Sequence, residues 1–190
     1  METDVQKQFI EAIKNNQPEE VERLIKEGAD VDANCGEALD IATQLNHNKV
    51  AHLLLEHDAF IHNSDTLQTA SANGNIELMD TYIAHARQIG DPFNWASKGE
   101  ALAAAAGAGQ LEAVNYLVVH KADINYMDDR PLSRAAAKGH LKVVKYLLIN
   151  GADLKADKNE ALRNAKKYKQ QPVIEYLEDY ITRLKKHSKK

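Results

Sequence analysis

At six places spaced about 30 residues apart along this 190-residue chain, an alanine stands three positions after a large apolar residue. The pairs are Phe9 and Ala12, Leu39 and Ala42, Leu67 and Ala70, Leu102 and Ala105, Leu132 and Ala135, and Leu162 and Ala165. The apolar positions lie 30, 28, 35, 30 and 30 residues apart. A second set returns with the same period: Val21 and Leu24, Ala51 and Leu54, Met79 and Tyr82, Val114 and Leu117, Val144 and Leu147, Ile174 and Leu177. Self-similarity at such a period constrains the fold more than any composition does, because one short unit cannot bury its apolar face alone and must stack on its neighbours. The invariant alanine has a steric reading: it marks where adjacent helices approach too closely for a larger side chain.

Residues 130–153 show what one unit contains. Pro131 suits a first helical position, where its missing N–H costs nothing, and Leu132, Ala135 and Ala136 then share one face. Gly139 can take the left-handed backbone that stops this short helix. Leu141, Val144, Leu147 and Leu148 form a second apolar stripe at helical spacing, closed by Gly151-Ala152-Asp153. The spacing predicts two antiparallel helices per unit and six units in all.

This stretch resembles the ankyrin repeat, whose signature runs Thr-Pro-Leu-His-x-Ala-Ala, Gly-His, Val-Val-x-x-Leu-Leu and Gly-Ala-Asp. The resemblance implies an all-α ankyrin-repeat solenoid of six helix-turn-helix units. Arg130 and Ser133 stand where the family prefers Thr and His, which is expected to remove the usual hydroxyl–imidazole link between neighbouring turns. The spacing of 30 is shorter than the family's length of about 33, so the projecting hairpin fingers should be trimmed. Repeats are expected at 4–33, 34–61, 62–96, 97–126, 127–156 and 157–184, within a single domain over 1–184, followed by a basic tail at 185–190.

Local variations are mostly explicable. Three repeats open with Glu-Ala-Leu, at Glu37, Glu100 and Glu160, placing an acid in the first turn where the helix dipole favours it. Pro18 and Glu19-Glu20 open the second helix of repeat one for similar reasons, and its polar first helix suits an N-terminal cap. Asn46 and Asp58 replace glycines with residues that tolerate a left-handed backbone, whereas Lys121 should be strained there. Repeat three lacks Gly-Ala-Asp and carries instead a segment with Phe93 and Trp95. These two are expected to fold back over the stack; an exposed loop anchor is the alternative. Repeat six lacks both glycines, and Lys166, Lys167 and Lys169 fit a C-terminal cap. The end from Arg183 to Lys190 should fray.

Composition adds three bounds. No run of about 18 apolar residues exists and the first residues do not read as a secretory leader, so no transmembrane segment and a cytoplasmic location are expected. Cys35 is the one cysteine, expected as a buried small residue. Residues 1–95 hold 6 Lys and Arg against 17 Asp and Glu, and residues 96–190 hold 18 against 11, giving −11 and +7.

Chemistry-bearing patterns are sparse. His47, His52, His57 and His62 recur every five residues, a rotation of about 140° between successive imidazoles on a helix, so they share no face. Gly107-Ala108-Gly109 lacks the Gly-Lys-Ser/Thr of a phosphate loop and falls where the repeat needs a turn. Asp128-Asp129 sits at the trimmed finger, where turns favour Asp. No metal, no cofactor and no catalytic centre are expected.

What the resemblance implies is a protein-binding scaffold whose concave side, made of fingers and first-helix edges, engages a partner. The aligned exposed positions are Gln44, Asn73, Lys138, Lys167 and Tyr168, with Tyr126, Asp129 and Arg130 projecting from the finger before repeat five. An acidic or mixed-charge protein segment, met by a monomer, is the expected ligand of the basic half. Nucleic acid or an anionic membrane surface is the rival ligand of that half. The Glu-Ala-Leu starts also resemble short ankyrin proteins of intracellular bacteria, some delivered into host cells, which makes a host-cytosol effector a further alternative.

Overall fold

The computed structural model describes residues 4–59, 61, 65–88 and 95–187, and for 95–97, 156–158 and 187 the backbone alone. Among the described residues there are twelve helices and no strand. They fall into two compact units, Met1–Phe93 and Asn94–Lys190.

The N-terminal unit holds α1 (Asp4–Lys14), α2 (Pro18–Lys26), α3 (Ala33–Gln44), α4 (Asn48–Glu56), α5 (Asp65–Asn73) and α6 (Ile76–Gln88). The C-terminal unit holds α7 (Trp95–Ala108), α8 (Leu111–Val119), α9 (Tyr126–Lys138), α10 (Leu141–Ile149), α11 (Ala156–Lys167) and α12 (Gln171–His187). In both, each odd helix pairs with the even helix that follows it. Odd helices pack on odd ones and even on even, so each unit has a first-helix layer and a second-helix layer.

The periodic residues are the core. Ala12, Ala42, Ala70, Ala105, Ala135 and Ala165 are all buried, as are Phe9, Leu39, Leu67, Leu102 and Leu132. Leu162 and Ile174, in the last helix pair, are half-buried, and Val173 takes the fully buried place beside Leu177. Position 82 is a tyrosine where other repeats have leucine, and its hydroxyl contacts the buried Thr43 hydroxyl. Thr43 Oγ1 gives its one proton to the Leu39 carbonyl at 2.7 Å, so Tyr82 is the donor to Thr43. Burial, first, drives the Tyr82 hydroxyl well above the ordinary phenol range.

The six alanines do more than make room. The residue five positions after each one donates its N–H to the alanine carbonyl, from Gln17, His47, Asn75, Gln110, His140 and Gln170, at 2.8 to 3.0 Å. Between them sits a left-handed residue: Asn16, Asn46, Gly74, Gly109, Gly139 or Lys169, with φ from 53 to 80°. This is the Schellman ending. The second helices of repeats one, two, four and five end the same way, at Gly28, Asp58, Lys121 and Gly151, and Lys121 accordingly holds φ 65°.

The trimmed finger is a turn built from polar side chains. Asp30, Asp123 and Asp153 each accept through Oδ1 the N–H two residues ahead, at 2.8 to 2.9 Å. Three successive left-handed residues then break α3 at Asn34, Cys35 and Gly36, and α9 at Met127, Asp128 and Asp129. Cys35 therefore stands exposed rather than buried, because the turn carries it away from the core. The C-terminal end also departs from expectation. Instead of fraying near Arg183, α12 continues through Lys185 and Lys186 to His187, supported by the Arg183–Asp179 ion pair one turn back.

Candidate partner-binding surface

The expected site residues occupy quite different environments. In the N-terminal unit Gln44 and Asn73 are exposed at the ends of α3 and α5. Asn73 is committed to structure, since its Nδ2 donates to the Thr43 and Gln44 carbonyls and to Asn46 Oδ1, at 3.3 to 3.4 Å. It ties one helix end to the next.

In the C-terminal unit Lys138, Lys167 and Tyr168 are exposed at the ends of α9 and α11. Lys167 Nζ lies 5.3 Å from the Tyr168 ring centre, and Tyr168 keeps 53% of its surface open. Lys166 is drawn off to Glu178 on α12 at 2.7 Å. A cation and an open aromatic ring thus remain side by side, a combination suited to a carboxylate-bearing, partly apolar ligand.

The finger residues turn inward. Asp129 does not project: it is 4% exposed, and its Oδ1 accepts the Asp153 N–H at 2.7 Å. Burial, with the Asp153, Asp123 and Asp128 carboxylates nearby, pushes its carboxyl up to about 6 against the opposing pull of the Asp153 N–H. Tyr126 lies against Gly99, where even a Cβ would meet its ring. Arg130 and Arg134 each bind one oxygen of Glu100, at 3.1 and 2.9 Å. At the start of α9 the two arginines are therefore held by one shared carboxylate. Phe93 lies outside the described residues, as does the side chain of Trp95 at the start of α7.

The link expected to be lost between neighbouring turns is replaced. Ser133 Oγ donates to Glu160 Oε2 at 2.9 Å; the small hydroxyl now stands on one repeat and a long carboxylate reaches across from the next. In the N-terminal unit Thr66 Oγ1 donates to Asp40 Oδ1 at 3.1 Å in a related way. A second bridge joins helix ends: His47 Nδ1 lies 2.8 Å from the Ile13 carbonyl, His140 Nε2 3.1 Å from that of Gly107, and Gln170 Nε2 donates to that of Ala137 at 3.2 Å. Ser133, Glu160 and His47 stand out in the sequence, but not as partners in these bridges. Also missed was a tyrosine at each 30-residue step of the outer second helices, Tyr116, Tyr146 and Tyr176, where Tyr146 donates to Asn115 and Lys145 sits over Tyr176.

The ankyrin-repeat model, in three copies, matches residues 67–158. Residues 67–158 carry ankyrin repeats. The crystal structure of the human ASB11 ankyrin repeat domain aligns with this chain at a TM-score of 0.73, covering 90% of this chain and 82% of that one. Identity over that match is 21%, a likeness of fold. No curated protein matches the chain. Ankyrin repeats are generally protein–protein interaction modules, and the fold is typically non-catalytic. Among the described residues no three His, Cys, Asp or Glu side chains come together as metal ligands, and no helix is long and apolar enough to cross a membrane.

Proposed function

We propose that this protein is a non-catalytic binding scaffold that takes an acidic or mixed-charge segment of a partner protein on the first-helix edge of its C-terminal unit. The observation that carries the reading is the exposed set Lys138, Lys167 and Tyr168 at the ends of α9 and α11, beside a finger whose Arg130 and Arg134 are held on Glu100. The stack supplies a surface ordered before the partner arrives, so little entropy is lost in arranging it. Asp129 drops out of the contact set because it is buried, and Arg130 contributes only what Glu100 leaves of its charge.

The test is recovery of partner protein from the native cell by the full chain and by a Lys138→Glu, Lys167→Glu variant. Reduced recovery of the same protein by the variant supports this edge as the docking surface. Undiminished recovery removes it. Binding that instead weakens steeply with salt and requires Lys185 and Lys186 would assign the basic unit to a nucleic acid or an anionic membrane.

A further inference from the structure

The second-helix layer of the N-terminal unit carries a groove of opposite character. Between α4 and α6 lies a cavity of about 560 Å³, where Glu56, Asp58 and Asp80 face His52 and His85 over a floor that includes Leu55. A second cavity of about 230 Å³ adjoins it toward α2, sharing His52 and Glu56 and adding Glu19 and Glu22 against a single lysine, Lys49. Five carboxylates thus line two adjoining hollows. Glu22 pairs with Lys26 at 2.7 Å and Glu56 with His52 at 3.3 Å. Residues 1–95, which include the groove, carry a net charge of −11.

We propose that this groove binds a lysine- or arginine-rich segment of a partner protein. The chemistry fits on two counts. Carboxylates at the rim receive ammonium or guanidinium heads, while the apolar walls at Leu53, Leu55 and Ala84 take the methylene stems that such side chains lay along apolar surface. The field of the surrounding acidic chain draws a cationic segment toward the groove before contact. This surface is separate from the first-helix edge described above and prefers ligands of the other sign.

The experiment is fluorescence anisotropy of a short fluorescein-labelled oligolysine peptide titrated with the full chain. Replacing Glu56→Gln, Asp58→Asn and Asp80→Asn together should weaken binding about tenfold. A charge-matched variant on the first helices, Glu11→Gln, Glu37→Gln and Asp65→Asn, should change it less than about twofold. Equal losses in the two variants would mean attraction by overall charge and overturn the groove. Asp58→Asn alone keeps a residue suited to φ 61° and should weaken binding about twofold, which preserves the test if the triple variant does not fold. If sedimentation shows that the unaltered chain self-associates and the triple variant does not, the occupant is the basic end of a second copy, and a separate partner is overturned.

Discussion

The carboxylate of Asp129 accepts the backbone N–H of Asp153 across 2.7 Å, fastening the start of one repeat to its own closing turn. Gln6 does the same in repeat one, where its amide both accepts from and donates to Asp30, at 2.9 and 3.0 Å. A neutral amide performs the job in one repeat and a buried acid in the other, and the difference has a consequence for pH.

Because the Asp129 carboxyl is pushed up to about 6, the folded chain holds a proton between the ordinary carboxylate range and pH 6 that the unfolded chain has released. Stability from this group is full below that window, declines as pH rises through it and is flat above. Asp129→Asn keeps the acceptor and suits φ 62°. Denaturant unfolding should show the variant more stable by on the order of 1 kcal/mol at pH 7, with the gain vanishing near about pH 4. A gain independent of pH would refute the assignment.

Ala135 is fully buried where α9 packs on α7 and α11. Ala135→Leu should cost about 1–3 kcal/mol by overpacking, read as a lowered melting midpoint. An unchanged midpoint would count against close approach as the reason for the periodic alanine.

Lys121 holds φ 65° at the place Gly28 and Gly151 fill in other repeats, positions where an added Cβ meets nothing. The strain is in the backbone alone. Lys121→Gly should therefore raise stability by about 0.5–1 kcal/mol despite glycine's greater freedom when unfolded, and thermal or denaturant melting will register it. A loss of stability would show the left-handed lysine to be at ease.

Thr43 and Tyr82 should respond unequally. Thr43→Val strands the buried Tyr82 hydroxyl and should cost about 1–3 kcal/mol. Tyr82→Phe leaves Thr43 its bond to the Leu39 carbonyl and should cost less than about 1 kcal/mol. Equal costs from chemical denaturation would place the donor on the other side.

At the periodic alanines the structure agrees residue by residue, for each of the six is buried and gives its carbonyl to a cap, while Leu162 and Ile174 in the last repeat are only half-buried. Left-handed backbone was legible at Asn46, Asp58 and Lys121 because their repeat positions elsewhere hold glycine. The run at Met127, Asp128 and Asp129 was not, since methionine carries no such signal. Cys35 was misplaced for the same reason: composition describes what a side chain prefers, and the turn decided where this one points.

The sequence by itself determined the two-helix unit, its number of copies and its buried faces, because apolar spacing acts locally and recurs. Tertiary structure alone decided which polar groups remain available. Arg130 pairs with Glu100, Ser133 donates to Glu160, and Asp129 accepts the backbone N–H of Asp153, 24 positions on. Such pairings depend on distances across stacked helices and on the loss of water between them, and neither quantity is written in the order of residues along one helix.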